Sequence, residues 1–164
     1  MKKLLALGAM LLSCAEMASV NAMGCIRYGD QCFSMMMPDS VIDQDRRLDR
    51  LVTLQVESFK EYNDIVDKIG NMSEDIVSCC EVYLFLNEKG VNIRDEEKQE
   101  TSSNFALLSQ DMETLDMLHS ELLSQYKDDS QKVSTLNANL TTLREMFHCA
   151  QNKFNSAKDI LGIE

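Results

Sequence analysis

The sequence has one proline, no tryptophan and only six glycines among its 164 residues. This scarcity excludes collagen-like chains and proline-rich low-complexity chains. Basic side chains are also few, because 16 lysines and arginines stand against 27 acidic residues and leave a formal net charge of -11. A chain of this charge has no broad basic surface for phosphate groups. Binding to nucleic acids or to anionic membranes is therefore disfavoured.

Motifs that carry catalytic chemistry are also missing. The chain has two histidines and shows no serine-histidine-aspartate order, no phosphate-binding glycine loop and no His-Glu-x-x-His sequence. Its composition is that of a folded domain, with 45% hydrophobic and 26% charged residues. We therefore predict a protein that is not an enzyme and that needs no cofactor or metal ion.

Residues 1–22 have the pattern of a secretory signal peptide. Lys2 and Lys3 precede an apolar run that ends at Leu12, and this run is too short to span about 30 Å of hydrocarbon. Cleavage after Ala22 would release a chain without a membrane span. The sequence before Cys14 also resembles a bacterial lipobox, so lipidation of Cys14 is an alternative. The expected location is the periplasm, the cell envelope or the outside of the cell.

Disulfide bonds are expected in an exported chain, and five cysteines follow residue 22. Cys25 and Cys32 enclose a short loop in the segment 23–39, which predicts a local bridge. Adjacent residues on a helix point about 100° apart, so Cys79 and Cys80 cannot easily bond to each other. A bridge from one of them to Cys149 has easier geometry. The fifth thiol would be buried or would link two copies of the chain.

The last three of these cysteines also allow a metal site to be considered. Cys79 and Cys80 form one adjacent pair, and His148 and Cys149 form another. Adjacent residues on a helix diverge too far to converge readily on one zinc ion. Disulfide bonding or packing in the core is the favoured interpretation.

A first helical region begins near Ser40, where Pro38 and Asp39 form a helix-start signal. Gly70 could kink or end the helix that follows, and Gly90 ends the region. Apolar residues recur with a seven-residue spacing, which predicts a coiled-coil seam. The positions of this first seam are Leu48, Val52, Gln55, Phe59, Tyr62, Val66, Ile69, Ser73, Ile76, Cys80, Tyr83 and Asn87.

A polar hinge at residues 89–104 precedes a second seam, in which only His119 and Asp129 are polar. We expect His119 to keep its ring edge in water. The second seam could be one helix of about 90 Å. Asp129 is costly in a seam and lies in a cluster of capping residues, so we favour a hairpin of two helices. The positions of the second seam are Phe105, Leu108, Met112, Leu115, His119, Leu122, Tyr126, Asp129, Val133, Leu136, Leu140, Leu143, Phe147, Ala150, Phe154, Ala157 and Leu161.

These patterns predict an all-α fold in which residues 40–164 form an elongated bundle or coiled coil of three or four long antiparallel helices. The expected function is that of an exported structural or interaction protein in the bacterial envelope, or in a secretion or pilus-type assembly. It would act through coiled-coil contacts with a protein partner or with a second copy. The alternatives are a released, host-directed virulence factor and an envelope lipoprotein anchored through Cys14.

Overall fold

The computed structural model describes residues 23–54 and 59–163. The expectations for the signal peptide and for lipidation of Cys14 lie outside these residues. Within them the chain is mostly helical and its long helices pack together, which confirms the predicted helical bundle. The elements in chain order are β1 (Met23–Tyr28), β2 (Gln31–Met36), α1 (Asp39–Leu48), α2 (Lys60–Glu88), α3 (Asp95–Gln125), α4 (Ser130–Ser156) and α5 (Lys158–Leu161).

The two strands form an antiparallel hairpin that the sequence analysis did not predict. The register pairs Tyr28 with Gln31 across a two-residue turn. Gly29, the first turn residue, has a φ of 59°. In the described chain, positive φ angles occur only at glycines. A type II′ turn requires this geometry at its first central position. The all-α expectation is therefore corrected for the segment 23–39.

The hairpin is held to the bundle by side chains on its inner face. The Phe33 ring packs edge-on against Phe85 of α2, with ring centroids 6.3 Å apart. The Tyr28 hydroxyl donates to Glu97 Oε2 at 2.7 Å and accepts from the Arg94 backbone N–H at 2.9 Å. A two-stranded hairpin alone is marginal in water, so these contacts with α2 and α3 are needed to stabilise it.

The first predicted seam is interrupted, because α1 ends at Leu48 and α2 begins at Lys60. Two asparagine side chains hold the connection between these helices. Asn139 of α4 accepts from the Val52 N–H at 3.0 Å and donates to the Val52 carbonyl at 2.8 Å. Asn63 makes the same pair of bonds with Leu54, at 3.1 and 2.9 Å. These bonds satisfy backbone groups that a continuous helix would have paired internally.

Gly70 lies inside α2 and does not end it. A Cβ atom at this position would lie 2.6 Å from Leu48 Cδ2 and 3.1 Å from Leu51 Cδ1. The glycine therefore allows the end of α1 and the following turn to pack closely on α2. Glycine in a helix interior costs about 1 kcal/mol of helix stability relative to alanine. At position 70 this cost accompanies the close packing of the two helices.

The second seam is divided into two helices at residues 126–129, so it is not the single helix of about 90 Å that was the alternative. Asp129 is the N-cap of α4, and its carboxylate accepts from the Lys132 backbone N–H at 3.1 Å. This bond satisfies one of the N–H groups that the first turn of a helix leaves unpaired. The polar residue that is costly in a continuous seam thus stabilises a helix start.

Contacts between the long helices follow a consistent order. The ring of Phe59, at the start of α2, contacts the ring of Tyr126, just after α3. The hydroxyl oxygen of Tyr83, late in α2, lies 3.2 Å from Oγ1 of Thr101, early in α3. Phe105 of α3 stacks on Phe154 of α4, with centroids 4.1 Å apart. Seam residues fill the interior: none of the seventeen positions of the second seam is exposed. In the first seam, all positions from Phe59 to Tyr83 are buried.

Candidate protein-interaction surface

Cysteine chemistry is the first candidate for function. Cys79 and Cys80 are 4% and 0% exposed on α2, and Cys149 is half-buried on α4. All three are free thiols, so the bridge predicted from Cys79 or Cys80 to Cys149 is absent from the structure and that expectation is corrected. Burial raises the pKa of Cys80 to about 12 and raises the pKa of Cys79 as well. The thiolate needed for disulfide exchange is therefore strongly disfavoured in the core.

The amino-terminal pair has a different outcome. Cys32 is disulfide-bonded. The strand register places Cys25 opposite Ser34 and Cys32 opposite Arg27, so the two cysteines occupy diagonal positions of the hairpin. The side chain of Cys25 lies outside the described residues, and its pairing with Cys32 stays a prediction.

Chemical labelling should distinguish the three thiols of the bundle. In the native protein we expect iodoacetamide to modify Cys149 at least about 100-fold faster than Cys79 or Cys80, because reaction of a buried thiol requires local unfolding. Mass spectrometry of digested samples gives the rate for each residue. As a control, unfolding in urea should make the three rates similar. A native disulfide between a peptide of α2 and the Cys149 peptide would contradict the structure.

Histidine and metal chemistry give no site among the described residues. His148 is exposed, whereas Cys79 and Cys80 are buried, and the described part of the chain contains no group of three histidine, cysteine or acidic side chains able to hold a metal ion. His119 is 5% exposed, which corrects the expectation that its ring edge meets water. Its Nε2 lies 3.2 Å from Asn137 Oδ1, and burial lowers the pKa of His119. His119 is thus a core residue near the turn between α3 and α4, and its burial favours the neutral ring.

An open cavity of about 570 Å³ lies at that same turn. Small-molecule sites are usually enclosed and mostly apolar, whereas this cavity is open and its lining is mostly polar. The geometry is that of an open, polar groove between two helix ends. The lining residues are Gln125, Tyr126, Asp128, Asp129, Ser130 and Gln131.

The outer face of α3 is the remaining candidate. Met117 is 70% exposed and Leu107 is 46% exposed, and they are two of the four large hydrophobic residues that are exposed in the described chain. They belong to a stripe with alternating steps of four and three residues, the spacing of a coiled-coil seam. We call this stripe the outer face of α3, and its members are Ser103, Leu107, Gln110, Thr114, Met117, Glu121 and Ser124.

Charges on α3 are arranged around this outer face. Asp111 forms an ion pair with Lys68 of α2 at 2.7 Å, and Asp116 forms one with Arg144 of α4 at 2.9 Å. Each pair joins α3 to a neighbouring helix, so these two carboxylates are already engaged within the bundle. Glu113 and Glu121 are exposed, and neither forms an ion pair within the described residues. The sequence has no lysine or arginine between residues 99 and 126.

The arrangement therefore presents two exposed apolar side chains with unneutralised acidic residues beside them. Leu107 and Met117 are ten residues apart, which corresponds to about 15 Å along a helix. Sequence reasoning assigned α3 a buried seam but did not single out this second stripe. The signal that could have identified it is the absence of lysine and arginine between residues 99 and 126 of an otherwise mixed-charge chain.

Comparisons with protein-family models, with curated proteins and with solved structures found no match for this chain. Among the described helices, none has the length and apolar character that a membrane crossing requires.

Proposed function

We propose that this protein is an exported interaction protein of the bacterial envelope, or of a secretion or pilus-type assembly, and that the outer face of α3 binds a helix of a partner protein. The observation that carries the proposal is that Leu107 and Met117 are both exposed on the outer face of α3, whose positions repeat every seven residues. A partner helix can insert its own apolar residues between them. The three long helices act as an antiparallel scaffold, which the order of their contacts supports.

The chemistry of this face indicates the kind of partner. Glu113 and Glu121 flank the apolar positions without ion pairs of their own in the described chain, so a partner helix with lysine or arginine beside its apolar seam complements them. On this face, the polar residues Gln110 and Thr114 separate Leu107 from Met117. Because little apolar area is available, we expect a reversible contact that weakens at high salt.

A photo-crosslinking amino acid at Gln110 tests this proposal in cells. Gln110 is exposed on the outer face of α3, and Asn152, which is also exposed, is the control position on α4. We expect an adduct with an envelope protein from position 110 and none from position 152. The double substitution Leu107→Glu and Met117→Glu should abolish the adduct while leaving the circular dichroism unchanged, because both side chains are already exposed.

Other outcomes of this experiment are equally informative. Equal adducts from both positions, or an adduct that survives the double substitution, would contradict binding through this face. An adduct with a second copy of the chain would show that this face binds another copy of the protein and not a helix of a partner protein. Cell fractionation and mass spectrometry of the mature amino terminus distinguish the envelope protein from the two alternatives, a released virulence factor and a lipoprotein anchored through Cys14.

A further inference from the structure

The β-hairpin has a second surface with the properties of a binding site for an extended peptide. Within the described residues the sheet consists of β1 and β2 alone, so the outer edge of β2 has no strand partner there. Gln31, Cys32, Ser34 and Met36 are exposed along this strand, and Met36 is 62% exposed. An open strand edge offers backbone N–H and C=O groups that an added strand can pair with.

The register shows which backbone groups point outward. A two-residue turn makes Tyr28 and Gln31 a hydrogen-bonded pair, and such pairs alternate with non-hydrogen-bonded pairs along an antiparallel ladder. Phe33 and Met35 therefore use their backbone groups to pair with β1. Ser34 and Met36 direct their N–H and C=O groups away from β1, toward the open edge.

Natural proteins usually protect an open strand edge with lysine, proline or a bulge. From Gln31 to Met36, β2 has neither proline nor any charged residue, and its pairing with β1 is continuous. The hairpin is also fixed in place by the contacts of Tyr28 and Phe33 with the bundle. A strand that is already ordered loses little conformational entropy when a peptide pairs with it.

Charges at the two ends of β2 indicate what occupies the edge. Asp30 precedes the strand and Asp39 follows it, both are exposed, and neither forms an ion pair within the described chain. A second copy would bring two chains of net charge -11 together, which electrostatic repulsion opposes. A partner segment with an uncharged centre and a basic residue at each end meets no such repulsion and complements both aspartates.

We propose that the outer edge of β2 binds an extended segment of a partner protein by strand addition, with a central run of about six uncharged residues and a lysine or arginine at each end. This surface is separate from the outer face of α3. Its test is independent of the partner helix described above, so either proposal can fail without the other.

The test uses the purified, oxidised protein and a synthetic peptide with six alternating valines and threonines between two terminal lysines. Amide hydrogen exchange followed by nuclear magnetic resonance reports each backbone N–H. We expect the peptide to slow exchange at Ser34 and Met36, with little change at Phe33 and Met35, whose amides already bond to β1. A peptide with glutamate in place of both lysines should bind about tenfold more weakly.

Ser34→Pro provides the matched variant, because proline removes an outward N–H without removing a bond to β1. We expect it to weaken binding at least about tenfold, whereas Ser34→Thr, which keeps the N–H, should bind normally. Resonances of Ile26 and Phe33 show whether each variant keeps the hairpin. If Ser34→Pro loses the hairpin, the exchange pattern of the unsubstituted protein alone tests whether the peptide binds at the outer edge of β2.

Three results would overturn the proposal. These are protection of Phe33 and Met35 instead of their neighbours, equal affinity for the lysine and glutamate peptides, and a concentration-dependent dimer that protects β2 without any peptide. The last result would assign the edge to a second copy of the chain.

Discussion

Substitution of Leu143 by aspartate is expected to lower the free energy of unfolding by about 4 kcal/mol or more. Leu143 is 0% exposed on α4, and its Cδ2 atom lies 4.0 Å from the position that a Cβ atom would take at Gly70 of α2. The substitution leaves a cavity in this tightly packed region and places a carboxylate without a partner in it. Urea unfolding followed by far-ultraviolet circular dichroism measures the loss.

Lys60→Ala is the control for this substitution. Lys60 is exposed at the start of α2, and its replacement should change the free energy of unfolding by no more than about 0.5 kcal/mol. If Leu143→Asp and Lys60→Ala lowered stability by similar amounts, α4 would not pack against α2 as the structure shows. The predicted seam would then be a surface stripe.

Truncation of Phe59 to alanine is expected to lower the free energy of unfolding by about 4 kcal/mol. The side chain is 0% exposed, and its ring lies 4.9 Å from the Tyr126 ring and 6.4 Å from the Tyr62 ring, measured between centroids. Phe59 therefore joins the start of α2 to the end of α3. Its loss removes aromatic packing where the turn between α3 and α4 meets α2.

Phe33→Ala is the matched control, because Phe33 is a half-buried aromatic residue that attaches the hairpin to α2. We expect it to cost less than half as much as Phe59→Ala, since less of its surface is buried. Thermal unfolding of both variants provides the comparison. A larger loss for Phe33→Ala would mean that the hairpin, and not the junction of the long helices, dominates the stability of the chain.

The helical seams were predictable because they depend on local periodicity. Leu108, Leu115 and Leu136 are 0% exposed, as their seven-residue spacing indicates. The turn between α3 and α4 was predictable for a similar reason, since Asp129 caps a helix through a backbone group only three residues away. The break between α1 and α2 was not, because it is held by Asn139, which is 87 residues from Val52.

The candidate surfaces were less accessible to sequence reasoning. Leu107 and Leu108 are adjacent and chemically identical, yet Leu107 is 46% exposed and Leu108 is 0% exposed. Helical periodicity assigned Leu108 to the seam but gave no role to Leu107. The β-hairpin is short, and its alternation of inward and outward side chains depends on a bundle face that only the folded helices create.

Seven-residue spacing and capping chemistry were thus sufficient to predict long helices, their buried stripes and one turn, because each of these features depends on residues a few positions apart. Packing decided the rest: the hairpin, the role of Gly70 and the free state of Cys79, Cys80 and Cys149. Each of these features depends on which distant side chain fills a space or meets a backbone group. That information is set by the three-dimensional contacts between helices and is not contained in any local pattern.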